Sequence, residues 1–247
     1  MPAILIIRPP SQTAADIRTC TAAGWDAVPF GPIRIEPEEA ALKNLNRQFQ
    51  TASAVFWVSP TAVETAAPHI DFSDGLIRQI TVGQGSRKAL SGFCPHEIIC
   101  PQEGNDSEAV LRLDIWNSLP QGAKVLIVRG HGGRDFLAQN LKRRGFEVET
   151  AEVYFRRPQP LDWSVFEEAR PVAAYITSAE MVSALFAQVP SELAQPLRTL
   201  LYFTHHPRIA AALHIAGAVN TRVVARLDAQ TLKQALHGVQ NEQPRRK

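Results

Sequence analysis

Short, wholly apolar runs alternate with longer segments of helical period along this chain, and the runs come in matched pairs. Ile4-Leu5-Ile6-Ile7-Arg8 returns as Val125-Leu126-Ile127-Val128-Arg129, 121 positions later. Each copy passes through a polar stretch and a helical pattern to a glycine, Gly24 and then Gly145, again 121 apart. Ala54-Val55-Phe56-Trp57-Val58-Ser59-Pro60 is matched at a shift of 119 by Ala173-Ala174-Tyr175-Ile176-Thr177-Ser178-Ala179. Apolar runs that do not alternate with polar residues read as parallel strands buried on both faces. The period is too long and the copies too few for a solenoid. The pattern therefore predicts a duplicated α/β protein, two similar units facing each other across a cleft.

The pattern predicts strands over 4–7, 26–30, 54–58, 80–82, 98–99, 124–128, 147–150, 173–176, 200–203 and 222–224. Helices are expected over 14–23, 61–67, 86–91, 106–117, 134–144, 179–188, 207–216 and 227–236. Gly24 suits the left-handed position that closes a helix. Two further segments, Gly31-Pro32-Ile33-Arg34-Ile35-Glu36-Pro37 and Val153-Tyr154-Phe155-Arg156-Arg157-Pro158, alternate and end in proline, which favours extended backbone. Paired, they would form a narrow ladder crossing between the domains, and the intervening segment would be an inserted domain. Unpaired, the halves would lie in tandem; the residues themselves leave both arrangements open. The stretch from Gly238 is polar, has no apolar face and is expected to be disordered.

Composition narrows the function without naming it. The length, 247 residues, suits two domains. A net charge of +2 argues against a dedicated nucleic-acid binder, and the terminal Arg245-Arg246-Lys247 reads as a solubilising end. Three cysteines, Cys20, Cys94 and Cys100, with no CxxC spacing indicate neither a disulfide framework nor a zinc site. No apolar run is long enough to span a bilayer, and the start goes directly into a strand without a signal-peptide pattern. A cytoplasmic protein is expected.

The clearest local motif is Arg129-Gly130-His131-Gly132-Gly133-Arg134, a glycine loop between a buried strand and a helix. Helix N-termini attract anions through free amides and aligned dipoles, and glycine lets a ligand approach the backbone. No GKS or GKT follows, and the GxGxxG spacing is broken, so phosphate and carboxylate are equal candidates. Ser59-Pro60-Thr61, Gly83-Gln84-Gly85-Ser86 and Thr177-Ser178 occupy the same kind of junction, at the carboxyl edge where open α/β sheets bind ligands. Singly, each is an ordinary N-cap; together they suggest a cleft lined by amides and hydroxyls. Adjacent His205 and His206 lack a carboxylate or thiol ligand nearby, and no metal is expected. Nucleophile elbow, kinase and HExxH signatures are absent.

In this order and spacing, the chain resembles the uroporphyrinogen-III synthase family up to about residue 236. The residues that carry the resemblance are Ile6-Ile7-Arg8-Pro9, Val58-Ser59-Pro60-Thr61-Ala62-Val63, Leu126 through Arg134, Arg144-Gly145, Glu152 through Arg156, and Ile176 through Met181. The resemblance implies two flavodoxin-like parallel-sheet domains joined by a two-stranded β-ladder, one inserted in the other. Domain 1 would comprise 1–32 and 158–240, domain 2 would span 38–150, the ladder 33–37 and 151–157, and the tail 241–247. It implies cyclisation of hydroxymethylbilane, a linear tetrapyrrole with an acetate and a propionate on every ring, to uroporphyrinogen III. Water is lost and ring D inverted, no cofactor is needed, and the resemblance implies transient contact with the upstream hydroxymethylbilane synthase. A monomer is expected. The alternative is a non-catalytic tetrapyrrole- or anion-binding module on the same scaffold.

Carried residue by residue, the resemblance makes Tyr154 the candidate general acid, facing the cleft. It makes Arg8, Ser59, Gly83, Ser86, Arg129, Gly130, Gly132, Gly133, Arg134, Thr177, Ser178 and Thr204 substrate contacts. Ser86 stands where the family usually has threonine, which keeps the hydroxyl. Thr204-His205-His206-Pro207-Arg208 departs from the family's Gly- or Ser-containing turn, so which of Thr204 and the histidines meets substrate is open.

Overall fold

The structure, a computed structural model, describes residues 1–242, with side-chain placement through Ala235. Two compact units divide the chain, one made of residues 1–35 with those from 157 onward, the other of residues 36–156. The second unit is thus inserted in sequence between the two parts of the first.

The first unit holds a five-stranded parallel sheet. β1 (Ala3–Ile7) lies between β2 (Asp26–Pro29) and β9 (Ala173–Ile176), and β10 (Leu201–Thr204) and β11 (Asn220–Val223) complete it in the order β2-β1-β9-β10-β11. The second unit's sheet runs β3-β8-β7-β4-β5-β6, built from β3 (Ile33–Pro37), β4 (Ala54–Trp57), β5 (Arg78–Thr81), β6 (Ile98–Ile99), β7 (Lys124–Gly130) and β8 (Glu147–Pro158). Both unit boundaries fall within the neighbouring strands β3 and β8.

The internal repeat explains both orders. The first copy supplies β1, β2, β4, β5 and β6, and the second supplies β7 through β11. Counted by position within a copy, and leaving aside β3 at the edge of the second sheet, each unit reads 2-1-3-4-5, the flavodoxin order. Each unit takes its first two strands from one copy and its last three from the other. The paired glycines agree: Gly24 has φ 86° and Gly145 φ 87°.

Burial follows from the unalternating pattern. In β1, Leu5 and Ile7 pack into one core with Ile176, Leu185 and Tyr202. Ile4 and Ile6 pack into another with Trp25, Phe203 and Leu232. In the second unit Phe56, Ile80 and Ile127 share a core with Trp116 and Leu141. The opposite face carries Trp57, whose ring stacks on Phe72 at 6.3 Å, while Phe49 meets Phe72 edge-on at 5.3 Å.

Several elements depart from expectation. α2 (Glu39–Gln50) was not anticipated, nor were α8 (Trp163–Ala169) and α10 (Ala194–Thr199). The single helix expected over 106–117 is two, α5 (Ser107–Leu111) and α6 (Ile115–Ser118). Trp116 Nε1 donates to Val110 O at 2.7 Å, taking the carbonyl that a continuing helix would use. The segments expected as a strand over 147–150 and a separate connector are one strand, β8. The last helix, α12 (Ala229–Glu242), passes Gly238 and residue 241, where structure was expected to stop; 243–247 lie outside the described residues. The remaining helices are α1 (Ala14–Ala22), α3 (Pro60–Ala66), α4 (Gln84–Leu90), α7 (Phe136–Arg143), α9 (Ala179–Phe186) and α11 (Pro207–Ile215). No helix among the described residues is long and apolar enough to cross a membrane.

Candidate functional site

In each unit the expected site residues stand where parallel strands end. In the first unit, Arg8 follows β1 and donates from Nη1 to Asp16 Oδ2 at 2.8 Å, at the first turn of α1. Ser178 caps α9, its Oγ accepting from Met181 N at 3.1 Å, with Thr177 just before it. Thr204 ends β10 fully buried, its hydroxyl without a hydrogen-bond partner among the described residues. His206 Nδ1 accepts from Arg208 N at 3.0 Å, so this imidazole is the cap of α11. Burial holds the His205 imidazole below the ordinary histidine range, helped by the like charges of His206 and Arg8.

The second unit mirrors this. Ser59 caps α3, its Oγ accepting from Ala62 N at 3.1 Å. Gly83 begins α4 beside Asn105, whose Cβ lies 3.2 Å from where a Cβ on Gly83 would stand. Ser86 is buried, and its hydroxyl too has no hydrogen-bond partner among the described residues. Neither Gly83 nor Ser86 makes a described contact with Tyr154.

Three expected residues do come together. Tyr154 is fully buried. A register shift in the β7–β8 pairing sets Arg129 opposite Glu152 but Gly130 opposite Tyr154. Such a bulge re-aims a side chain, and consecutive Val153 and Tyr154 are both buried against the usual alternation. The phenol ring lies over Gly130, where a Cβ would sit only 2.5 Å from two ring carbons. Glycine is required there by collision. The phenol oxygen is 3.4 Å from Ser59 Oγ and accepts from Arg156 Nη2 at 2.8 Å. The Arg156 guanidinium carbon also sits 5.1 Å from the ring centroid, within cation–π range.

The glycine loop is fastened by Arg129. Its Nη1 donates to Asp135 Oδ1 (2.8 Å), Gly133 O (3.1 Å) and Arg134 O (3.2 Å), and its Nη2 to Glu152 Oε1 (3.0 Å). Arg129 therefore organises the loop, while Arg134 is exposed. Gly132, with φ 75°, supplies the turn, and α7 begins two residues later than expected, at Phe136. The His131 ring stacks on Phe155 at 3.8 Å and 12°, and its Nδ1 lies 3.3 Å from Glu152 Oε2. Among the described residues no group of three or more His, Cys, Asp or Glu is placed to hold a metal.

Sequence reasoning missed Arg156, Glu152 and Asp135 as partners. Arg156 was legible in principle, because residues two apart on a strand share a face.

Twinned parallel sheets in flavodoxin order, with caps, hydroxyls and arginines gathered at their strand ends, define a duplicated, two-unit α/β protein. Comparison with known proteins narrows the class. The family model described as uroporphyrinogen-III synthase HemD matches residues 14–232. The uroporphyrinogen-III synthase of Escherichia coli (strain K12) is 26% identical over 203 residues, covering 76% of this chain and 80% of that protein. That of Proteus mirabilis is 29% identical over 160 residues, covering 62% and 79%. Two solved structures share the fold. A mutant uroporphyrinogen III synthase from the extremely thermophilic bacterium Thermus thermophilus superposes with a TM-score of 0.58 at 17% identity, covering 98% of this chain and all of that one (100%). The uroporphyrinogen-III synthetase of Helicobacter pylori 26695 gives 0.60 at 14%, covering 97% and 100%. The chain belongs to the uroporphyrinogen-III synthase family.

Proposed function

We infer that this protein cyclises hydroxymethylbilane to uroporphyrinogen III, with loss of water and inversion of ring D, in tetrapyrrole biosynthesis. The family match over residues 14–232 carries the reaction. One structural observation supports the chemistry assigned to it: Tyr154, held against Gly130 by contacts to Ser59 and Arg156 at the strand ends of the second unit.

The reaction asks little of side chains. The hydroxyl on ring A leaves as water, pushed by the pyrrole nitrogen, and gives an azafulvenium ion. Ring D attacks through its substituted carbon to form a spiro intermediate, which fragments and recloses inverted. The protein's work is to fold the chain so that this carbon arrives first, a task of positioning. Tyr154 serves as the proton source for the departing hydroxyl. The substrate carboxylates are met by Arg134 and the strand-end amides and hydroxyls of Gly83, Ser86, Gly130, Gly132 and Gly133 in the second unit, and by Arg8, Thr177, Ser178 and Thr204 in the first. Arg129 acts on substrate through the loop it fastens.

A cytoplasmic location, monomeric state and transient contact with the upstream hydroxymethylbilane synthase belong to the same reading. The purified protein, given hydroxymethylbilane and no cofactor, should yield the type III isomer. Type I alone, the product of unassisted closure, would reject the cyclase.

A further inference from the structure

We propose that the proton reaching the departing hydroxyl is delivered by Ser59, with Tyr154 behind it as the source and Arg156 as the positioning residue that fixes the direction of transfer. The proposal rests on the reading of Tyr154 as the acid.

Donor and acceptor rules set the direction. A guanidinium has donors and no acceptor, so the 2.8 Å bond from Arg156 makes the phenol oxygen an acceptor. The phenol's own hydrogen must still be satisfied, because the side chain is fully buried. The acceptor described within range is Ser59 Oγ at 3.4 Å. That oxygen also accepts from Ala62 N at 3.1 Å, so both its lone pairs are taken. What Ser59 retains is its own hydrogen, and Ser59 is only half-buried. Among the described residues, the donor chain Arg156 → Tyr154 → Ser59 therefore ends on one hydroxyl proton with no acceptor, at a strand end. Hydrogen bonds between catalytic groups tighten as substrate binds.

In the step itself, the carbon–oxygen bond of the hydroxymethyl group breaks with its electron pair leaving on oxygen. That oxygen takes the Ser59 proton and departs as water, while the pyrrole nitrogen lone pair closes the azafulvenium. The Tyr154 proton moves to Ser59, and the phenolate oxygen stays beside the Arg156 cation. The proton released by the substrate after ring closure returns along the same path.

The test is steady-state cyclisation of hydroxymethylbilane by variants whose fold is checked by circular dichroism. Ser59→Asn keeps the helix cap but has no hydroxyl to pass a proton. It should lower kcat by about 100-fold, as should Tyr154→Phe. Ser59→Thr, which keeps both functions, should restore most of the rate. Ser59→Asn combined with Tyr154→Phe should be no slower than either alone. Arg156→Met should lower kcat with KM changed less than about threefold, and Arg156→Lys should recover part of it. Should Tyr154→Phe be slow while Ser59→Asn turns over at the normal rate, the relay is wrong and the tyrosine acid survives. A normal rate for Tyr154→Phe removes the acid and the relay together. An Arg156→Met effect confined to KM would make that arginine a substrate contact and overturn its positioning role.

Discussion

The collision at Gly130 offers a clean perturbation. In Gly130→Ala the new methyl would lie 2.5 Å from Tyr154 Cε2 and Cζ and 3.0 Å from its hydroxyl oxygen. Nonbonded carbons rest near ~3.5–4.0 Å, so the ring must retreat by roughly 1 Å. It is fully buried, and overpacking of this kind costs about 1–3 kcal/mol. For a chain of this size each kcal/mol lowers the thermal midpoint by about 2–4 °C. The same retreat would stretch the 2.8 Å bond from Arg156 and the 3.4 Å contact with Ser59. A misplacement of about 1 Å can reduce turnover about 100-fold. Gly130 is not among the positive-φ glycines, so backbone strain does not contribute. Gly122→Ala is the control: with φ 75° and nothing within 4 Å, it meets only the left-handed penalty of about 1–2 kcal/mol. Calorimetry and the isomer assay on both variants test the reasoning. Gly122→Ala should be less stable and fully active, Gly130→Ala less stable and slow. A Gly130→Ala protein with kcat within about twofold of the parent would show that the phenol's position does not matter.

Three further outcomes are expected. Burial, and then the charge of Asp16, pushes the Cys20 thiol up to about 12 from 9.0, so native Cys20 should resist alkylation at pH 8 and react once unfolded. This raised value stabilises the fold below about pH 9, and the benefit fades as pH rises toward 12; Cys20→Ala should flatten the alkaline limb of stability, and rapid native labelling would contradict the burial argument. Hydrogen bonds from Lys124 and then Gln48 hold Glu149 below its ordinary 4.5, giving stability that is present above that pH and lost as pH falls; Glu149→Gln should lose less between about pH 5 and 3, read as thermal midpoints, and an unchanged acid limb would refute it. Arg129→Met should loosen the loop 130–135, seen as faster amide exchange there with weaker substrate binding, whereas unchanged exchange would make its four acceptors incidental.

Much of the architecture was legible because buried parallel strands announce themselves as unbroken apolar runs. The repeat located β1 with β7 and β4 with β9, and the glycines closing α1 and α7 share one left-handed geometry. α2 was also legible, since Leu42, Leu45 and Phe49 are buried at helical spacing, although its start directly abuts the extended, proline-fenced segment that ends at Pro37. α8 and α10, of 7 and 6 residues, are too short to show a period. The surroundings of Tyr154 were hidden for a different reason. Alternation along β8 sends residue 154 outward if 153 points inward, and the bulge that reverses this depends on pairing with β7. Arg129 looked like a ligand for an anion because the sequence does not reveal that Glu152, Asp135 and two carbonyls claim it first.

The exchange of strands between the two copies bears on how the protein is made. As the chain leaves the ribosome, β1 and β2 emerge first, yet β1 is a central strand whose other neighbour is β9. The contiguous run 33–158 holds the second unit's whole sheet before β9 is synthesised, so the inserted unit closes while the earliest residues still wait. Cutting the gene at the boundary between copies, after β6, would yield two fragments of which neither carries a complete sheet, although mixing them would supply every strand.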